Sequence, residues 1–218
     1  MTEGYLGLES VRHGNSAACI YDIFRIHFPT AEVVADITWG KGRFWKWPIK
    51  LSDNAPDVQV VGLDADTRGG ADIRADYRFV PLKDQSVDVL VFDPPFIFTP
   101  GIQRIVGAKR FFLGSEEGVR FNEDDRVQRP KHPRDLILHT LVVAREARRV
   151  ARRGMILKGQ ELILSGRPLW WVHHVMSCIG EPEDMLIQVS PAPRLNDPKW
   201  KRQFHFRRRH AIYLVYKW

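Results

Sequence analysis

The stretch Val87-Asp88-Val89-Leu90-Val91-Phe92-Asp93-Pro94-Pro95-Phe96 decides the fold. Its first six residues are apolar apart from Asp88, the signature of a strand buried on both faces of a sheet. The run stops at an acid followed by two prolines. Proline cannot donate to a ladder, so the strand ends there and the turn beyond it is stiff. Working outward, Val33-Val34-Ala35-Asp36-Ile37 and Val58 to Leu63 read as two more short buried strands, each leading into a turn. Ser16 to Phe28, with Asn15 or Ser16 as cap, reads as a helix carrying Ala17, Ile20, Tyr21, Phe24 and Phe28 on one stripe. His132-Pro133 opens a longer helix to about Arg152, with Leu136, Ile137, Leu141, Ala144, Ala147 and Val150 inward and Gly154 as its stop. Met155 to Lys158 is the next strand, Leu169 to Ile179 a helix, and Met185 to Val189 and Ala211 to Tyr216 the last two strands. Strands alternating with helices predict an α/β fold around a mainly parallel sheet.

The 218 residues suit one domain, expected over 1–218, with an inserted loop or lid at about 97–134 that follows the double proline. A hydrophobic share of 44% and a charged share of 27% exclude a disordered tail or a fibrous repeat. No apolar run reaches the ~18 residues a membrane helix needs. The first residues lack the basic-then-apolar order of a secretory signal. Two cysteines, Cys19 and Cys178, make no disulfide framework or metal cluster and point to the cytoplasm. His173-His174 lacks further ligands at metal spacing, so no metal is expected.

The net charge of +7 is local. Between Arg145 and Arg153 five arginines face one acid, and from Asp197 to His210 six lysines and arginines face Asp197 alone. Two basic patches on a mildly acidic body are the footprint of a polyanion binder, and equally of a solvated helix end and a solvated tail strand. In the second patch Lys199, Lys201, Arg202 and Arg207 alternate with aromatics, as phosphate binding combined with base stacking requires; a hairpin with Trp200 and Phe204 in the core reads the same way. Lys109 and Arg110, within the insertion, are candidates for base recognition.

Two turns carry chemistry. In Asp36-Ile37-Thr38-Trp39-Gly40-Lys41-Gly42 a strand runs into a Gly-x-Gly turn whose glycines let backbone approach a ligand. The next strand ends in Asp64, placed for a ribose hydroxyl pair, as in nucleotide-binding α/β folds. At the second turn, the Asp93 carboxylate and the Pro94 carbonyl can accept both hydrogens of an exocyclic base amine. That amine is a poor nucleophile because its lone pair is delocalised into the ring, and such acceptors draw the nitrogen toward a tetrahedral form. Pro94 and Pro95 preorganise the acceptors. Phe96 offers a face for an extruded base. Lys158 and Gln160, two apart on a strand, point the same way, toward substrate or the Asp93 carboxylate, or toward solvent. His13-Gly14-Asn15-Ser16 reads as a helix cap or as a contact to a cofactor carboxylate.

From about His13 to Trp200 the chain resembles class I S-adenosylmethionine-dependent methyltransferases, in particular the small DNA N6-adenine methylases of phages and prophages. The resemblance rests on Asp36-x-x-x-Gly40-x-Gly42, Asp64, Asp76 before Val80-Pro81-Leu82, and Asp93-Pro94-Pro95-Phe96, in that order. Lys158-Gly159-Gln160 and Asp197-Pro198-Lys199-Trp200 add to it. It implies a Rossmann-like, mostly parallel seven-stranded sheet with helices on both faces and an antiparallel last strand. It also implies S-adenosyl-L-methionine as cofactor, with Asp36, Thr38, Trp39, Gly40 and Gly42 at its methionine end, Asp64 on its ribose and Asp76 on its adenine. Asp93 would border cofactor and target base, with Pro94, Pro95 and Phe96 completing the catalytic turn. Lys109, Arg110, Lys158, Lys199, Lys201, Arg202 and Arg207 would meet nucleic acid, DNA in the first instance, with the protein a monomer by default. Two features depart from the pattern's commonest form: Thr38 stands where Phe is frequent, and the turn opens with Asp. Asp leans toward N6 of adenine, Ser toward N4 of cytosine, and Asn toward RNA or protein amides. RNA adenine, DNA cytosine N4 and a catalytically silent binding module stay as alternatives.

Overall fold

A computed structural model describes residues 7–46, 57–94, 133–164, 167–189 and 210–218. Its elements are β1 (Val11–His13), α1 (Ser16–His27), β2 (Val33–Asp36), β3 (Gln59–Asp64), β4 (Ile73–Arg74), β5 (Val87–Phe92) and α2 (Pro133–Val150). After them come β6 (Ala151–Gly159), β7 (Leu162–Leu164), β8 (Arg167–Leu169), α3 (Trp171–Ile179), β9 (Asp184–Val189) and β10 (His210–Lys217). Eight strands form one sheet in the order β1-β9-β10-β6-β5-β2-β3-β4, and β7 pairs with β8 in a separate hairpin.

The expected α/β class and its helices on both faces hold. The alternating side chains of β5 divide two cores: Val89 and Val91 pack with α1 through Ile20, Ile23 and Phe24, while Leu90 and Phe92 pack with α2 and α3 through Leu136, Val143, Ala147, Trp171 and Val175. Both faces are dry, which is why β5 reads as a continuous apolar run. On α2 the buried positions fall at 136, 140, 143, 144, 147 and 150, the 3–4 spacing of one helical face. Thr140 lies in that stripe with its hydroxyl donating to the Leu136 carbonyl, so no polar atom is stranded.

Among the described residues the sheet has eight strands where seven were expected. The addition is β1, parallel to β9 with Val11 opposite Ile187. Three half-exposed residues carry no apolar pattern, so sequence has no signal for it. β10 is antiparallel to both β6 and β9, as the expected last strand requires. The α2 boundary also moves: the helix ends at Val150, and Ala151 passes directly into β6. Gly154 is therefore no helix stop. It lies inside β6, where a Cβ would meet the Tyr216 carbonyl at 2.1 Å and the Phe28 ring at 3.1 Å. Close packing selects glycine there. The helix expected from Leu169 starts at Trp171, and Asn15, not Ser16, caps α1 by accepting the Ala18 N–H at 3.0 Å.

The strand order sets the site. From β2 the chain moves outward through β3 and β4, then returns past β2 to β5 and β6. The winding reverses between β2 and β5, and open α/β sheets bind ligands beyond the carboxyl ends of strands at such a reversal. None of the described helices is long and apolar enough to cross a membrane.

Candidate functional site

Asp36 lies opposite Gly62 of β3 and Val91 of β5. Two residues on, therefore, Thr38, Asp64 and Asp93 reach one level above the strand ends. The loop from Ile37 to Gly40 is stitched between its neighbours: Ile37 N–H donates to the Val91 carbonyl at 3.1 Å and Trp39 N–H to the Leu63 carbonyl at 3.0 Å. Asp93 N–H donates to Thr38 Oγ1 at 2.7 Å, which fixes the start of the double-proline turn to the glycine turn. Phenylalanine at 38 has no such acceptor, so the departure at Thr38 has a structural role.

Asp36 is 2% exposed. Its oxygens accept Thr38 N–H at 3.0 Å and Trp45 Nε1–H at 2.7 Å. Burial pushes its carboxyl up to about 7; those two hydrogen bonds oppose the rise, and the Asp93 and Asp64 charges add to it. The structure thus makes Asp36 an internal strut of the turn. Trp45 is a residue that the sequence reading missed, nine positions downstream with no motif around it.

Gly40 and Gly42 have φ of +56° and +59°, which only glycine adopts freely. The close approach, however, is made by the chain itself. A Cβ at Gly42 would lie 2.7 Å from the Trp39 ring, and one at Gly62 2.4 Å from it. Trp39 Nε1 also donates to the Gly69 carbonyl at 3.2 Å, and a Cβ on Gly69 would strike the Gly40 carbonyl. Trp39 therefore keys the glycine turn to the segment after Asp64.

Asp64 fits a ribose. Its Oδ2 accepts Gly40 N–H at 2.8 Å and its Oδ1 accepts Asp66 N–H at 3.0 Å. Ala65 N–H adds a further backbone contact, and the four acceptor positions of a carboxylate leave room for a ribose hydroxyl. Burial raises its pKa, with the backbone hydrogen bonds opposing. Asp76 is gripped by its neighbour Arg78, which bonds both its oxygens through Nε at 3.0 and 3.1 Å. An adenine amine at Asp76 would share that carboxylate with the guanidinium.

The ammonium of Lys158, a β6 residue, lies 2.8 Å from Asp93 Oδ2. Of the directions open to this lysine, the structure selects the Asp93 carboxylate. Lys158 is 6% exposed, while the Asp93 side chain keeps 25% exposure. Pro94 is buried. Gln160 turns away, its amide donating to the His210 carbonyl. Pro95, Phe96, Lys109, Arg110, Lys199, Lys201, Arg202 and Arg207 lie outside the described residues. His173 and His174 rings touch edge to face, and among the described residues no three His, Cys, Asp or Glu gather as a metal centre.

The first basic patch is at the opposite end of the sheet and is partly compensated. Arg152 and Arg153 both pair with Asp88, Arg149 pairs with Glu146 and Asp84, and Arg148 stacks over Trp218. These arginines sit by the amino ends of β5 and β6, roughly 17 Å of strand from Asp93. Arg149, Arg152 and Arg153 thus tie α2 and β6 to β5 and the turn before it.

No protein-family model and no curated protein sequence matches the chain. Similar folds occur in crystal structures of two SAM-dependent methyltransferases. The one from Archaeoglobus fulgidus is 11% identical, with a TM-score of 0.44 over 94% of this chain and 95% of that one. The one from Aquifex aeolicus is 12% identical, with a TM-score of 0.39 over 94% and 99%. At those values the likeness carries no argument; the fold rests on the strand order.

Proposed function

We propose that this protein is an S-adenosyl-L-methionine-dependent methyltransferase acting on the exocyclic amine of a nucleobase, N6 of adenine in DNA. The observation that carries the reading is Asp93 at the carboxyl end of β5, at the winding reversal. Its backbone is tied to Thr38 and its carboxylate is held by Lys158, directly ahead of two prolines.

When bound, S-adenosyl-L-methionine supplies a methyl group made electrophilic by a positive sulfur. Asp64 would hold the ribose hydroxyls, and the Thr38 to Gly42 turn the methionine end. The remaining work belongs to the chain. Asp93 and the Pro94 carbonyl accept the two amine hydrogens and bring the nitrogen lone pair out of conjugation. Acceptors already fixed before substrate arrives need no reorganisation as charge develops. Alignment of the reacting atoms supplies the rest. The chemistry is unsuited to a base inside a duplex, so the base is extruded into the crevice. Asp at the head of the turn favours adenine, by resemblance, over cytosine.

The test is incubation with methyl-labelled cofactor and unmethylated DNA or RNA, followed by digestion to nucleosides. The reading expects label in N6-methyldeoxyadenosine. Label in N4-methyldeoxycytidine or in RNA would overturn the substrate assignment. No label in any nucleic acid, with S-adenosylhomocysteine still raising the melting temperature, would identify a silent module.

A further inference from the structure

Lys158 is a buried ammonium whose ion-pair partner is Asp93, at the head of the double-proline turn. A buried ammonium is costly unless it is paired and hydrogen-bonded. It also lies 3.4 Å from the hydroxyl of Ser16, the first residue of α1, where the helix dipole disfavours a cation. The chain has nevertheless built a seat for it. Its Nζ is 4.8 Å from the Phe44 ring centroid and 5.7 Å from that of Tyr213, its partner across the ladder. Ser16 accepts from it and donates onward to Gln188 Oε1 at 3.2 Å. The same Gln188 oxygen accepts the Tyr213 hydroxyl at 2.9 Å, while Nε2 of Gln188 donates to the Gly14 carbonyl at 2.9 Å. Donation runs in one consistent direction, from the ammonium through Ser16 and Gln188 to the Gly14 carbonyl. This network joins β10, β9, the start of α1 and β6, and it ends on Asp93 Oδ2.

We infer that Lys158 is a positioning residue for methyl transfer, fixing the plane of the Asp93 carboxylate by occupying Oδ2 so that Oδ1 faces the target amine. The inference rests on the methyltransferase reading above. It removes Lys158 from the residues expected to bind phosphate. Gln188, Ser16 and Tyr213 become the rigid frame that holds the ammonium, a constellation with no sequence motif. A reactive acceptor is held within its productive angle only when its neighbours lock the rotamer. A side chain that retains 25% exposure at a stiff turn lacks that lock without the lysine.

The experiment compares Lys158→Met, Lys158→Arg, Asp93→Ala and the double variant Lys158→Met/Asp93→Ala in the full chain. Melting curves and S-adenosylhomocysteine titration verify that each is folded. Lys158→Met is expected to lower kcat on the order of 10- to 100-fold, as removal of an orienting partner typically does. KM for DNA and the salt dependence of DNA binding stay unchanged. Lys158→Arg, which keeps a cation, recovers part of the loss. The double variant is no slower than Asp93→Ala alone, because Lys158 acts only through that carboxylate. Native kcat in Lys158→Met, with Asp93→Ala inactive, would overturn this inference alone. So would a loss confined to KM with a reduced salt slope, which marks a phosphate contact. Full activity in Asp93→Ala would overturn the reading of the turn itself.

Discussion

The two ends of the parallel sheet use the same residue types to opposite purposes. At the amino end, Asp88 accepts the N–H groups of Glu32 and Val33 at 2.8 and 3.0 Å and meets Arg152 and Arg153 with its other oxygen. Burial works to raise its pKa, but those partners outweigh it and hold the carboxyl below its ordinary value. At the carboxyl end, Asp36, Asp64 and Asp93 crowd three neighbouring strands, and burial drives Asp36 and Asp64 above theirs. Charge is settled where the molecule needs only to hold together. At the other end, among the described residues, burial leaves Asp36 and Asp64 without a cation to offset it, the kind of perturbation that clusters at functional sites.

Deleting a carboxylate should therefore have opposite consequences at the two ends. Asp88→Ala is expected to cost about 3 kcal/mol in denaturant unfolding, because two backbone N–H groups lose their acceptor and two arginines their partner. Methyl transfer per folded molecule is expected to stay native. A stability loss under about 1 kcal/mol would show that the amino end is not the settled one.

The smaller effect is at Asp36. Its folded value of about 7 lies above that of an unfolded aspartate, so the native state binds the extra proton between the two. Its contribution is then fullest below the unfolded value, near pH 4, and is lost as pH rises through about 7. Asp36→Asn, which keeps an acceptor for Trp45 or Thr38, should flatten stability across that window in melts at stepped pH. It should gain on the native protein at the alkaline end. An unchanged pH profile would remove Asp36 from the strained group.

What could be read in advance was local. The apolar runs of β2, β3 and β5 and the acids that close them lie within a few residues of one another, so periodicity and turn chemistry expose them. The pairing of Lys158 with Asp93 spans 65 positions and exists only because β6 lies beside β5. The compensation of the arginines is hidden for the same reason: Asp84 and Asp88 precede them by more than 60 residues. Read along the chain, the run from Arg145 to Arg153 is a basic patch; folded, Asp84 and Asp88 offset part of its charge. Trp39 misled differently. Gly42 signals a close approach correctly, but the group that approaches it is the Trp39 indole ring, which no sequence pattern marks.

The central claim is that the Asp93 carboxylate orients a base amine for methylation. Single-turnover transfer of labelled methyl to DNA by Asp93→Ala, beside calorimetric binding of S-adenosylhomocysteine, tests it directly. The account predicts a rate loss on the order of 1,000-fold, comparable to removing a preorganised transition-state contact, with cofactor affinity within about 2-fold of native. A variant that methylates at the native rate would contradict it.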